Sequence, residues 1–143
     1  MLLGELLTVA MHDLPVKIVT FNNSALGMVK LEMLVDGLPD YQTDNAQFDY
    51  AAIANAVGVH AARVEQPADV HSALAEALAH PGPALVDLVT DPDALSIPPH
   101  ITGAQVKGFA LAAGKIVLDG GVGRMLELAR ANVRNIPRPT VLP

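Results

Sequence analysis

The stretch that decides the fold is residues 14–29, which read LPVKIVTFNNSALGMV. Residues 16–21 are short, rich in β-branched side chains and almost wholly apolar, which is the pattern of a strand covered on both faces. The strand is predicted to end with Phe21, because the run Asn22-Asn23-Ser24 that follows favours turns and helix caps over strand interiors. A helix is predicted to follow over residues 25–33. A strand, a polar turn and a helix in this order indicate a β-α unit.

Along the first two thirds of the chain, amphipathic helices and short apolar strands alternate, with proline or glycine at most boundaries. Pro15 ends the first helix, and Gly58 stands where a helix C-cap is expected. The alternation predicts an α/β fold with a doubly wound, mostly parallel sheet over residues 1–95. Besides the elements above, the predicted helices are residues 3–12, 48–57 and 67–80, and the predicted strands are residues 61–64 and 84–89.

The rest of the chain, residues 96–143, is predicted to be a proline-rich linker followed by a helical tail. Thr102 and Gln105 have the spacing of a capping box, which predicts the start of a long helix. A last helix is predicted over residues 122–134. The final residues, 136–143, are predicted to fray.

Composition excludes several classes of protein. The chain has 143 residues, of which 51% are hydrophobic and 3% aromatic, and it contains no cysteine. The absence of cysteine excludes disulfides and thiolate chemistry, and it favours a cytoplasmic location. The net charge is −6, and the first 100 residues are strongly acidic while the remainder is basic. An acidic body repels phosphate, so nucleic acid is not expected as a partner.

No self-sufficient catalytic constellation can be assembled from the sequence. The five histidines are scattered and show no zinc-binding spacing. There is no phosphate-binding Gly-Lys-Ser/Thr motif and no nucleophile elbow. Gly120, Gly121 and Gly123 follow a predicted helix rather than a strand, which favours a hinge over a dinucleotide fingerprint.

The turn after the first strand is the strongest candidate site. Ligands of open α/β sheets bind at the carboxyl ends of the strands, where Asn22 and Asn23 lie. An asparagine oxygen beside a backbone carbonyl offers hard oxygen donors, which suit Mg²⁺ or Ca²⁺ that also holds phosphates. The same residues also suit a helix cap, so from the residues alone both interpretations stay open.

The segment 14–29 resembles the cofactor-pyrophosphate domain of thiamine-diphosphate enzymes, at the Asn-Asn end of their metal-binding motif. The family begins that motif with Gly-Asp-Gly, which does not occur here, so the resemblance implies a domain truncated at its N-terminus and a carboxy-terminal fragment that is inactive alone. Within the family, the likeness is greatest to the pyruvate oxidase group, which includes bacterial pyruvate dehydrogenase (quinone). The likeness extends over nearly the whole chain and includes residues 83–89, 94–99 and 105–109.

The resemblance implies roles for particular residues. Asn23 would give its side-chain oxygen to Mg²⁺ and Ala25 its backbone carbonyl, with the diphosphate completing the shell. Gly27 and Met28 would lie near the thiazolium ring and the substrate. Glu32 matches an acidic residue that faces the active site, and it is the expected catalytic residue; the alternative is an ordinary solvent-facing carboxylate. The expected cofactor-binding residues are Asn23, Ser24, Ala25, Leu26, Gly27 and Met28.

The implied reaction belongs to a full-length parent enzyme. That oxidoreductase would decarboxylate a small 2-oxo acid, pyruvate, to acetate and CO₂ and pass electrons through FAD to quinone. The fragment would not bind the FAD itself. Two alternatives stay open: a fragment of an acetolactate-synthase-like carboligase, which shares the Asn-Asn turn, and a non-catalytic α/β interaction module that dimerises or binds an anionic ligand.

Two further expectations concern partners. A domain fragment exposes apolar surface at its lost interfaces, so self-association into an oligomer is expected. Residues 121–143 combine an apolar stripe with basic side chains, as an interfacial helix does, which leaves peripheral contact with the inner membrane open. The favoured interpretation is a helix packed against its own domain or against a partner subunit, because the stripe is rich in alanine and has no Trp or Phe to anchor it. The basic residues are Arg124, Arg130, Arg134 and Arg138.

Overall fold

The computed structural model describes residues 3–96 and 101–134. Within them the order of elements is α1 (Glu5–Met11), β1 (Lys17–Asn22), α2 (Gly27–Val35), α3 (Tyr50–Ala56), β2 (His60–Val64), a 3₁₀ turn (Pro67–Asp69), α4 (Val70–Ala79), β3 (Ala84–Val89), α5 (Gly103–Leu118) and α6 (Val122–Asn132). The predicted α/β fold class with a helical tail is confirmed.

The three strands form one parallel sheet in the order β1-β3-β2. Val86 at the middle of β3 is opposite Val19 on one side and Ala62 on the other. The first five residues of β3 are buried, as expected of a central strand that helices cover on both faces. Parallel pairing brings the carboxyl ends of β1 and β3 together, with Asn22 opposite Val89.

Contacts divide the chain into two compact units. Of the described residues, the first contains 3–23 and 46–90, and the second contains 24–45, 91–96 and 101–134. The helix α2 and the loop after it therefore belong with α5 and α6, although they lie between β1 and α3 in sequence. The predicted division at residues 95 and 96 stays a prediction.

The core of the first unit lies on both faces of the sheet. Alternate residues of β3 pack on opposite faces of the sheet. On one face Val86 packs with the partly buried Leu74 of α4. On the other face Leu85 packs with Leu6 of α1 and Ala54 of α3. This alternation follows from the period of two along a strand. The sheet is thereby sandwiched between helices.

The core of the second unit is a helical cluster. Leu34 of α2, Ala112 and Ile116 of α5 and Leu128 of α6 are buried together with Leu95. α5 begins with the predicted capping box, since the side chains of Thr102 and Gln105 bond to each other's backbone. Each residue supplies an acceptor for an otherwise unsatisfied N–H group at the start of the helix.

The mostly polar segment 36–45, DGLPDYQTDN, predicts a surface loop, and this prediction is only partly correct. Most of it is exposed, but Thr43 is buried, because residue 44 forms a backbone bridge with residue 25. The predicted fraying of residues 136–143 lies outside the described residues. In the described ranges, no helix is both long enough and apolar enough to cross a bilayer.

Candidate functional site

In the turn after β1, Asn23 belongs to the first unit and Ser24 to the second. Asn22 ends the strand and is buried, and the adjoining Asn23 and Ser24 are half-buried. Ser24 has a φ of 50°, in the left-handed region that costs energy for a residue other than glycine. The N-cap residue of α2 is Leu26, and no side-chain hydrogen bond caps this helix. The helix therefore begins after the polar turn and not at it.

A short antiparallel bridge fixes the backbone around Ala25. The N–H of Leu26 donates to the carbonyl of Thr43 at 2.7 Å, and the N–H of Asn45 donates to the carbonyl of Ser24 at 2.8 Å. These two bonds hold the peptide groups on both sides of Ala25, which is opposite Asp44. The backbone carbonyl of Ala25, which is a predicted metal ligand, therefore lies in a segment that these hydrogen bonds hold in place.

Met28 and Glu32, two of the predicted site residues, lie together on α2. They are four residues apart and therefore share one face of the helix. Both line a cavity of about 600 Å³ inside the second unit, and Glu32 is exposed. Other walls come from α5 and α6, through Phe109 and Met125 among others. An acidic side chain beside an apolar cavity is the general make-up of small-molecule sites.

A buried lysine supports the opposite face of α2. Lys30 is 3% exposed, and its Nζ lies 2.6 Å from Oδ1 of Asp93 and 3.4 Å from the carbonyl of Pro92. A buried ammonium is tolerated only with such compensation. This pair fixes α2 to the segment after β3 within the second unit. Lys30 is not among the residues predicted from the sequence. The feature that could have pointed to it is a lysine inside the mostly apolar segment GMVKLEMLV.

In the first unit, the sequence-based prediction also missed Asp87. It is completely buried in β3, and its Oδ2 accepts from Nη1 of Arg63 at 3.1 Å and from Nδ2 of Asn22 at 3.3 Å. The hydrogen bond to Glu65 raises the pKa of Arg63; burial acts against this rise, and the charge of Asp87 adds to it. The signal is again a charge inside an apolar run, ALVDLV. Arg63 stays a cation throughout the ordinary pH range.

The donors of the turn suit a hard cation. An asparagine amide oxygen and a backbone carbonyl are oxygen ligands of the kind Mg²⁺ takes, and Mg²⁺ usually completes its shell with water and substrate phosphates. In residues 3–96 and 101–134, no group of three His, Cys, Asp or Glu side chains could hold a metal ion. A cation at this turn would therefore need ligands other than such side chains, for example the oxygen atoms of a diphosphate.

The last helix, α6, has both buried and exposed apolar residues. Leu128 is buried and Met125 packs against the same cluster, whereas Val122 and Leu126 are exposed. Arg124 pairs with Asp40 of the same unit. Peripheral membrane contact through residues 121–143 stays a prediction, and Arg138 of that segment lies outside the described residues.

Comparison with known protein families gives one match over most of the chain. The family model described as "Thiamine pyrophosphate enzyme, C-terminal TPP binding domain" matches residues 1–88. That range includes every predicted cofactor-binding residue and ends within β3.

Individual relatives agree with this match. YdaP of Bacillus subtilis, named as thiamine pyrophosphate-containing, is 34% identical over 110 residues, which are 77% of this chain and 19% of YdaP. The acetolactate synthase large subunit of Pyropia yezoensis is 31% identical over 121 residues, covering 74% and 19% of the two chains. Acetolactate synthase 2 of Zea mays is 29% identical over 116 residues, covering 75% and 18%. The chain thus spans less than a fifth of the length of these relatives, which do not single out the pyruvate oxidase group.

Proposed function

Since the chain belongs to the thiamine pyrophosphate enzymes, as a C-terminal TPP-binding domain, we propose that the turn after β1 binds the diphosphate of the cofactor through Mg²⁺. One observation carries the proposal: Asn23 directly follows the buried end of β1, at the sheet edge where α/β folds bind ligands. Asn23 provides its amide oxygen and Ala25 its carbonyl. Ser24 and Leu26 complete the turn around the diphosphate.

The residues that follow the turn are assigned to the reacting end of the cofactor. Gly27 and Met28 lie beside the thiazolium ring and the substrate, and Glu32 is the residue that exchanges a proton there through its carboxylate. When bound, thiamine diphosphate supplies the electron sink for loss of CO₂ from a 2-oxo acid. Glu32 is an exposed carboxylate beside a cavity whose lining is mostly apolar, and apolar surroundings strengthen the electrostatic effect of a nearby charge.

Two reactions compete for the parent enzyme. The resemblance of residues 94–99 and 105–109 favours a pyruvate oxidase, which sends electrons through FAD to quinone. The acetolactate synthases among the relatives favour a carboligase, which joins the two-carbon unit to a second 2-oxo acid. With pyruvate as substrate, the first parent forms acetate and reduces a quinone, and the second forms acetolactate without any electron acceptor. Product analysis of a parent protein carrying this domain separates them.

The binding step is tested on the chain itself. The ¹⁵N-labelled protein is titrated with thiamine diphosphate, with and without Mg²⁺, and amide shifts are followed by NMR. We expect shifts centred on residues 23–28 that require Mg²⁺ and disappear in Asn23→Ala. Asn45→Ala is the matched control, because Asn45 is exposed and pairs with the turn only through its backbone. Shifts elsewhere, or none, would overturn the proposal and favour a non-catalytic interaction module.

Glu32 has a separate test in the parent protein. The variant Glu32→Gln keeps the shape of the side chain and removes its proton-exchanging group. We expect kcat to fall while the affinity for thiamine diphosphate is unchanged. An unchanged kcat would identify Glu32 as an ordinary surface carboxylate.

A further inference from the structure

Asp87 connects three elements of the first unit through one oxygen atom. Its Oδ2 accepts hydrogen bonds from Arg63 of β2 at 3.1 Å, from Asn22 at the end of β1 at 3.3 Å and from the backbone N–H of Tyr50 at 3.2 Å. The other carboxylate oxygen, Oδ1, is buried and has no hydrogen-bond partner among the described residues. Burying a charged group with one oxygen unsatisfied is costly. A buried carboxylate in an otherwise apolar strand therefore indicates a role for Asp87 besides packing.

Asn22 is the group that this carboxylate holds in place. Its Nδ2 has two hydrogens; one bond goes to Oδ2 of Asp87 and another, at 2.9 Å, to the carbonyl of Phe48. Its own carbonyl accepts from the N–H of Thr90 at 3.0 Å. Asn22 is 5% exposed, so water does not readily replace these partners. Side chain and backbone are both fixed immediately before Asn23.

We infer that Asp87 is a positioning residue for the cation at Asn23, and this inference rests on the proposed function. Asp87 fixes the Asn22 side chain, and Asn22 in turn fixes the start of the peptide that carries Asn23. A ligand amide that is held in one orientation before binding loses less conformational freedom when the metal arrives. Asp87 itself does not contact the cation.

The test compares Mg²⁺-dependent affinity for thiamine diphosphate in four variants of the full chain. Asp87→Asn and Asn22→Ala are each expected to weaken binding about 10- to 100-fold, as loss of a group behind a metal ligand commonly does. The double variant is expected to bind no more weakly than either single variant, because both changes break the same connection. Val86→Ala is the matched control: it removes packing from the same strand without touching the network, so its stability falls while its affinity stays that of the wild type.

A second readout keeps the inference separate from the proposed function. Amide hydrogen exchange of Asn23 and Ser24 in the absence of ligand is expected to accelerate in Asp87→Asn and in Asn22→Ala, but not in Val86→Ala. If the wild type fails to bind thiamine diphosphate, the proposed function is wrong, and the exchange rates alone decide whether Asp87 orders the turn. If Asp87→Asn does not fold, Asn22→Ala decides. Wild-type affinity and exchange in Asn22→Ala, or an equal loss in Val86→Ala, would overturn the positioning role.

Discussion

Gly108 of α5 faces the carbonyl oxygen of Val35, the last residue of α2, so closely that a Cβ atom built on Gly108 would overlap that oxygen. The obstacle is backbone, which cannot rotate aside as the end of a long side chain can. Only glycine therefore permits this approach of the two helices. Because α2 carries Met28 and Glu32, the contact also sets where these two proposed site residues lie within the second unit.

Replacing Gly108 by alanine is expected to destabilise the protein by about 3 kcal/mol, the upper end of the usual cost of overpacking. Gly114 is the control on the same helix, since a Cβ there meets no atom within 4 Å. Gly114→Ala is expected to stabilise by roughly 0.5–1 kcal/mol through better helix propensity. Urea denaturation measures both changes. Equal effects of the two substitutions would show that the helices can separate at no cost.

The Lys30–Asp93 pair gives a second stability prediction. Lys30→Ala leaves Asp93 without its ammonium partner and opens a hole in a buried position, and we expect a loss of about 3 kcal/mol. Lys30→Met, which fills the space without a charge, is expected to lose less. Lys107→Ala removes an exposed lysine of α5 and is expected to change stability by at most about 0.5 kcal/mol. A Lys30→Ala protein as stable as Lys107→Ala would contradict the structural role of the pair.

Self-association is expected to involve the outer strand β1. Within the described sheet β1 lies at an edge, and Phe21 on it is 73% exposed; exposed apolar edges favour pairing between chains. Phe21→Lys is therefore expected to lower the weight-average molar mass measured by sedimentation equilibrium. Tyr41→Lys is the matched control, because Tyr41 is equally exposed, at 73%, but lies outside any strand. An association that both substitutions weaken equally, or that neither affects, would exclude β1 as the contact.

Much of the fold could be predicted from local sequence. Short apolar runs between proline, glycine and asparagine gave β1, β2 and β3 within one residue of their observed ends, since burial on both faces leaves few polar positions in such strands. The capping box at Thr102 was predicted from spacing alone. The grouping of α2 with α5 and α6 was not predicted, because it depends on contacts such as Gly108 with Val35 that join distant parts of the chain.

The candidate site was predicted less completely. Its proposed position at Asn23 comes from the order of strand, turn and helix, and its proposed ligand comes from resemblance; both stay predictions. Lys30 and Asp87 were missed, because a charged residue in a mostly apolar run has the same appearance in sequence whether it reaches solvent or lies buried. Only the paired partners, Asp93 and Arg63, distinguish the two cases.

Replacement of Mg²⁺ by paramagnetic Mn²⁺ is the most direct measurement of cofactor binding at the turn. In the presence of thiamine diphosphate, bound Mn²⁺ broadens the amide signals nearest to it, even when binding is weak. We expect broadening first at residues 23–27 in the wild type and in Asn45→Ala, with none there in Asn23→Ala. Broadening centred on an acidic surface elsewhere, or identical in the wild type and Asn23→Ala, would contradict the assignment of the cation to Asn23.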